Sequence, residues 1–504
     1  MKAIDKAIEK VLPVAQGVAL WVDRRLYIST IWEHTAAHAV PKSAASWFYV
    51  FGSATMLCLI LQLITGTLLA FVYVPSGAEA YTTLEYMTWH QWVGWELRAI
   101  HNWGSLFMVF IMALHMTQVF LFGAYKYPRE MTWITGVLLL FVTLALAFTG
   151  QTMRFDQDAY WGLGIVAAIT GRSPVIGSEA VHLVLGGPII SGATLSRFFS
   201  VHVFILPGTI LALLSMHLRL VLVKGINEYP KPGDLVEKET YDAKYAEIIK
   251  KEGVPFFPAA ISKDLVAGAI VIFGILFCVF FFGAKGPEGP PDPVYIDTIP
   301  RPDFPFLWLF AMAALLPDWM EDIFLLGVGP IIAGILFLLP FVSNVGEKSW
   351  RRRPLAVITV IFIWLSLGML TYLGKTSPWS PVMKAWSGTP IAAEYLVDRT
   401  PLELQGALVL QNMQCRNCHA IGGLGGTRGP DLGEVGARLN RDQLIRQVIQ
   451  GGGNMPAYGK NLSPAQVDAL VTYMVSLHPP HEAPARNSTF PAEPGKPSGE
   501  KKAE

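Results

Sequence analysis

Apolar residues in this chain fall in long blocks separated by shorter polar stretches. A helix needs about 20 predominantly apolar residues to cross a bilayer. Seven blocks meet that length, at about 46–74, 97–122, 132–152, 196–223, 264–284, 322–342 and 355–374. The stretch between the third and fourth has helical patterning but too many polar and Gly positions to span. Residues 285–321, rich in Pro and aromatics, are expected to rest at the membrane interface. Residues 1–31 mix polar and apolar positions in the manner of an amphipathic helix lying on a membrane surface. The first spanning helix then acts as its own insertion signal. Beyond the seventh block the pattern changes. Residues 375–399 read as a linker, 400–478 as a small globular helical domain, and 479–504, rich in Pro, Lys and Glu, as a disordered tail.

Composition agrees with that division. Of 504 residues, 52% are hydrophobic and 15% charged, against about 25% charged in a soluble protein. The net charge of +1 gives nucleic-acid binding no electrostatic support, and lipid is the expected surrounding. Lys and Arg are divided unevenly between the loops. Segments 1–46, 123–131, 224–264 and 343–354 carry 19 of them, whereas 75–96, 153–195 and 285–321 carry 4. The positive-inside rule therefore places the N-terminus in the cytoplasm, and seven spans place the C-terminal domain outside.

Candidate chemistry begins with Cys415-Arg416-Asn417-Cys418-His419, a C-x-x-C-H sequence. Two thiols at that spacing can add across the two vinyl groups of one haem, with His419 under the iron. A zinc knuckle would want two further Cys or His ligands nearby, and none follows until His478. Covalent haem attachment takes place on the outer face of an energy-coupling membrane, which agrees with the loop charges. Met455 is the expected second axial ligand; Met413 lies too close to the attachment site to serve as well. A thioether opposite a histidine raises the haem potential. The other two cysteines, Cys58 and Cys278, lie within apolar blocks and read as small hydrophobes.

Four histidines fall inside spanning blocks: His101 and His115 on the second, His202 and His217 on the fourth. Intervals of 14 and 15 residues miss whole helical turns by about 40° and 60°, so each pair shares a face, about 21 Å apart along the axis. One such His is most simply a hydrogen-bonded residue of a bundle. Four in paired register at membrane depth point instead to ligands. His101 with His202 would hold an outer b-type haem, and His115 with His217 an inner one. Gly52 and Gly66 on the first helix, and Gly136 and Gly150 on the third, repeat the interval of 14. Glycine admits close approach of a flat macrocycle, although small residues also serve helix packing. Arg98 and Arg197 near the outer ends, and Arg129 and Arg219 near the inner ends, are placed to meet haem propionates or to act as interfacial anchors. The fold class expected is all-α: a seven-transmembrane bundle, with a four-helix di-haem core at 32–226 and three helices at 227–374, followed by an all-α cytochrome c domain.

These features together resemble cytochrome b of the bc/b6f family, fused to a class I cytochrome c. The stretch from Arg98 to Ile226 is similar to the photosynthetic-type cytochrome b in its His spacing, in Tyr127-Pro128-Arg129-Glu130, in Arg197-Phe198-Phe199 and in Pro174-Val175-Ile176-Gly177. Residues 264–374 resemble the companion subunit IV, and Gly429-Pro430-Asp431-Leu432 resembles the loop packed near the proximal His of class I cytochromes c. The resemblance implies a quinol oxidation site on the outer side, a quinone reduction site on the inner side, and bifurcated oxidation of quinol drawn from a quinone pool. It implies a Rieske iron–sulfur partner, a soluble or membrane cytochrome acceptor, a homodimer, proton translocation and a place in the bacterial cytoplasmic membrane. Three departures stand out. The family's Pro-Glu-Trp-Tyr element aligns with Pro302-Asp303-Phe304-Pro305, which keeps a carboxylate able to accept a quinol proton but loses the Tyr; Pro317-Asp318-Trp319-Met320 is a second alignment. The relatives' Leu-Pro-Trp after the third helix is Met153-Arg154-Phe155. Val50 replaces the Cys that binds an extra haem in the photosynthetic relatives. The altered quinol element leaves a second reading open, that of a membrane electron-transfer anchor working without bifurcation.

Overall fold

The computed structural model describes residues 13, 16–171, 173–186, 190–291, 300–376, 389–426, 429–451, 455, 458–459, 461–479 and 485. They fall into two compact units. One lies within 1–173, 195–290 and 300–379, the other within 174–194, 291–299 and 380–504. The segments 32–226 and 227–374, expected as two domains, fall in the first unit except for 174–194 and 291–299.

The secondary structure is almost entirely helical. Residues 16–26 are helical, and α1 (Ile28–Thr35) follows after Tyr27, whose φ of 53° breaks the run. The surface helix expected at 1–31 falls partly outside the described residues, and what is described is two helices rather than one. Seven helices are long and apolar enough to cross a membrane. They are α2 (Phe51–Ala70), α4 (Gly94–Leu121), α5 (Glu130–Thr152), α8 (Gly192–Lys224), α10 (Ile261–Phe282), α12 (Asp318–Val342) and α13 (Pro354–Thr376). Between them lie α3 (Ala80–Trp89), α6 (Gln157–Gly171), α7 (Gly177–Leu185), α9 (Tyr241–Glu252) and α11 (Leu307–Leu315). Glycines at positive φ end two of the spans: Gly225 at 71° after α8 and Gly283 at 67° after α10. Pro330 and Pro340 sit inside α12, as membrane helices tolerate.

Helix α2 packs along α4, and α8 packs along α5; α4 also touches α5, which closes a four-helix group. Helix α10 lies against α4 and α2, α12 against α5, and α11 against α13. Trp133 on α5 donates from Nε1 to the Leu336 carbonyl of α12 at 2.7 Å. The loops carrying most of the Lys and Arg are stitched to each other. Strand β1 (Ala39–Pro41) pairs antiparallel with β3 (Gly253–Pro255), and β2 (Leu235–Val236) with β4 (Gly346–Glu347). Lys348, nearly fully buried, forms an ion pair with Glu228 beside these strands. Burial alone would raise the Glu228 carboxyl, but Lys348 holds it below the usual carboxylate range.

The C-terminal unit has its own core. Helices α14 (Pro401–Asn412) and α17 (Pro464–Ser476) cross closely where Gly406 meets α17; a Cβ there would stand 2.0 Å from the Ala469 carbonyl oxygen. Leu410, Val471 and Tyr473 are fully buried in that core, with Leu444 of α16 (Arg441–Gln450). A short hairpin of β5 (Ala420–Ile421) and β6 (Leu424–Gly425) and the turn helix α15 (Val435–Arg438) complete it. The domain begins earlier than the sequence boundary at 400. Ile391 belongs to the core, and Gln411 and Arg416 donate to the Thr389 carbonyl at 3.1 and 2.6 Å. Part of the expected linker and most of the expected tail lie outside the described residues.

Candidate functional site

The four membrane histidines face the four glycines of the repeated interval. An added Cβ at Gly66 would stand 3.0 Å from Cε1 of His101, at Gly52 3.3 Å from that of His115, at Gly136 3.5 Å from that of His217, and at Gly150 2.8 Å from that of His202. Each imidazole thus lies against a bare stretch of helix backbone. The rings of His101 and His202 have centroids 6.4 Å apart. Two metal–nitrogen bonds of about 2 Å, plus ~1 Å from each ring centre to its Nε2, require about that separation. The pair therefore fits an iron held between two imidazoles.

Threonines that sequence reasoning missed fix the tautomer. Thr65 Oγ1 lies 2.9 Å from His101 Nδ1, Thr135 Oγ1 2.9 Å from His217 Nδ1, and Thr149 Oγ1 2.8 Å from His202 Nδ1. Each hydroxyl also donates its one proton to a carbonyl of its own helix: Thr65 to Leu61 at 2.7 Å, Thr135 to Thr132 at 2.9 Å, Thr149 to Ala145 at 2.8 Å. Only a lone pair is left for the ring, so Nδ1 carries the hydrogen. Nε2 is then the free ligand atom. A signal was present in the chain: each of these threonines directly precedes one of the four glycines.

The intervals of 14 and 15 also acquire a reason. Val201–Ile205, which includes His202, is a turn of π-helix. Such a turn inserts one residue into a helix. Fifteen residues of α8 therefore cover the ground that 14 cover in α4, and both histidine pairs keep their register.

In the C-terminal unit Cys415–Asn417 form a turn of 3-10 helix, and neither Cys415 nor Cys418 is in a disulfide. His419 Nδ1 donates to the Pro430 carbonyl at 2.7 Å, again leaving Nε2 for iron. Burial, before other effects, lowers the His419 imidazolium below its usual value and favours the neutral ring that binds metal. A Cβ at Gly429 would come within 2.3 Å of that ring. Burial and the neighbouring Cys418 push the Cys415 thiol up to about 12. Met455 packs against the domain core, and the Gln447 amide reaches its Sδ at 3.8 Å. Gly453, Asn454 and Pro456 lie outside the described residues.

A partly buried charge cluster surrounds Asp303. Lys285 Nζ lies 3.1 Å from Asp303 and 2.8 Å from Asp158. Arg154, the residue that departs from the relatives' pattern, reaches Asp158 at 3.1 Å and Asp156 at 3.7 Å. The Asp303 amide donates to Gln151 Oε1, and the Arg301 amide to Asp158, both at 3.0 Å. Burial alone would raise the Asp158 carboxyl, but Lys285 and then Arg154 hold it below its usual value. The same cluster takes up Arg98, which donates to the carbonyls of Lys285 and Gly286 and to Thr88 Oγ1. Arg129 is buried and donates to the carbonyls of Gly225 and Lys224 and to the Tyr241 hydroxyl. Arg197 is exposed. Side chains of Asp318 and Trp319 lie outside the described residues.

Known proteins resemble two parts of this chain. The family model described as Cytochrome b/b6/petB matches residues 36–225, and the one described as Cytochrome C oxidase, cbb3-type, subunit III matches residues 403–474. Cytochrome b6 of Synechococcus elongatus is 38% identical over 207 residues, 41% of this chain and 96% of that protein. Cytochrome b6 of Prochlorothrix hollandica is 38% identical over 211 residues, 42% of this chain and 95% of that protein. A chain of the solved hyperthermophilic respiratory Complex III is 29% identical, with a TM-score of 0.60, over 71% of this chain and 91% of that one. This chain belongs to the cytochrome b/b6 family and carries a cytochrome c domain at its C-terminal end, which makes it a multi-pass membrane protein of haem-based electron transport.

Proposed function

We propose that this chain is the cytochrome b and c subunit of a proton-translocating, bc-type quinol oxidoreductase. The observation that carries the reading is the repeated pairing of imidazole and glycine on α2, α4, α5 and α8, twice at each of two depths. His101 and His202 hold the outer b-type haem, His115 and His217 the inner one, and Cys415, Cys418, His419 and Met455 a covalent c-type haem. Bound there, haems would supply one-electron transfer between the membrane faces and out to the acceptor. Gly52, Gly66, Gly136 and Gly150 give the macrocycles room. Arg98, Arg129 and Arg197 stand near the helix ends and would meet haem propionates there, the first two with some donors already committed to protein oxygens.

Quinol from the membrane pool would be oxidised on the outer side, with Asp303 taking a proton. One electron would leave through a Rieske iron–sulfur partner to the c domain and a soluble or membrane cytochrome. The other would cross to a quinone reduction site on the inner side. The bacterial cytoplasmic membrane, with the N-terminus inside, the c domain outside and a homodimeric complex, is the setting this implies. A non-bifurcating electron-transfer anchor is the second reading, favoured by one observation: Lys285 already engages the Asp303 carboxylate. Oxidant-induced reduction separates the two. Adding oxidant to the quinol-treated, inhibitor-blocked complex should raise reduction of the b-type haems; a complex in which it never does so is the anchor.

A further inference from the structure

Four glycines face four imidazoles, yet only three imidazoles have a threonine beside them. Thr65, Thr135 and Thr149 precede Gly66, Gly136 and Gly150, but Gly52 follows Phe51. The consequence is visible at the ring. Nδ1 of His115 is buried with no hydrogen-bond partner, whereas the other three lie 2.8 to 2.9 Å from a threonine hydroxyl. Phe51 offers no acceptor of its own, and its carbonyl already takes the Thr55 hydroxyl at 2.8 Å.

An acceptor on the outer nitrogen of a ligating histidine pulls on its N–H and makes the inner nitrogen a stronger base. A stronger base favours the ferric over the ferrous iron, so hydrogen bonding to the ligands lowers the potential of the haem they hold. On the outer haem both ligands are bonded in this way. On the inner haem only His217 is. We propose that Phe51, standing where a threonine stands in the other three cradles, leaves His115 without an acceptor and so sets the inner haem at a higher potential than the outer. The inference rests on the reading of two bis-histidine haems and adds to it the residue that makes them unequal.

Redox titration of the purified, haem-loaded chain tests it, following the b-haem absorption and the low-spin ferric resonance of each haem. Phe51→Thr supplies the missing hydroxyl and should lower the midpoint of the higher-potential haem alone. A tenfold rise in its ferric-to-ferrous ratio at fixed ambient potential corresponds to about 59 mV for one electron. Phe51→Val, of threonine's shape without the hydroxyl, controls for lost packing and should leave a clearly smaller shift. In the opposite sense, Thr149→Val should raise the midpoint of the lower-potential haem. Equal shifts in Phe51→Thr and Phe51→Val, or an unchanged lower midpoint in Thr149→Val, overturn the proposal. If Phe51→Thr fails to load haem, the Thr149→Val result decides by itself. Haem content of the same samples keeps the underlying reading separate: two protohaems per chain with unmoved midpoints sinks this inference alone, and fewer than two in the unsubstituted chain sinks the reading.

Discussion

Gly150 and Gly66 leave no space for a side chain, since an added Cβ would stand 2.8 and 3.0 Å from the Cε1 atoms of His202 and His101. Gly150→Val is therefore expected to expel the outer haem and spare the inner one, and the protohaem content should fall from two to one per chain. The Asp303 cluster makes a pH prediction. Burial would raise the Asp158 carboxyl, but Lys285 and Arg154 lower it, so its charge stabilises the fold at pH above the unfolded value near about 3.9. That stabilisation disappears as pH falls through the lower folded value. Burial would lower Lys285, but Asp303 and Asp158 raise it, so its contribution is complete below its unfolded value near about 10.4 and disappears as pH climbs through the folded one. Hydrogen exchange of the Lys285, Gly286, Arg301 and Asp303 amides should be pH-independent in its protection through the neutral range. Protection should weaken at the acid extreme, and Lys285→Met should lower it at neutral pH. The four histidines that face glycines were legible, because spacing on one helix needs no knowledge of the fold. Lys285 was not. It meets Asp158 across 127 residues of chain, and nothing local to either residue announces the other. The threonines were hidden for a different reason: in an apolar helix a threonine ordinarily bonds its own backbone, and these three do that as well.

At the level of elements, the unequal histidine intervals mark a real irregularity in α8. The π turn at Val201–Ile205 takes up one residue, whereas α4 runs regularly from Gly94 to Leu121. Deleting Val203 should convert the turn to α-helix and preserve both protohaems. Deleting Phe107, midway between His101 and His115, rotates one ligand by about 100° and should lose one of them. The c domain is held by a different device. Thr400, Asn440 and Ser463 each close a capping box with Glu403, Gln443 and Gln466 at the start of their helices. No side chain caps the start of α2, α4, α5, α10 or α12. Thr400→Ala should lower the stability of the c domain by about 1 kcal/mol, measured as a shift in the denaturant midpoint of its haem absorption. The seven spans were legible from length and hydropathy alone. The true start of the c domain was not: Ile391 and Thr389 join it through contacts with α14 and the haem-attachment turn, and a stretch so short carries no periodic pattern.

For the whole molecule, three loop segments rich in Lys and Arg are joined by two small sheets and by the Lys348–Glu228 pair. They therefore share one face of the membrane unit, as the charge count required. On the proposed reading the membrane unit is a ladder of haem sites, two pairs of imidazoles at different depths between four helices, and the C-terminal unit holds a thioether-linked one. Pyridine haemochrome analysis of the purified polypeptide tests that ladder most directly. Two extractable protohaems for each thioether-bound haem is the predicted result; one protohaem or none for each bound haem would contradict it.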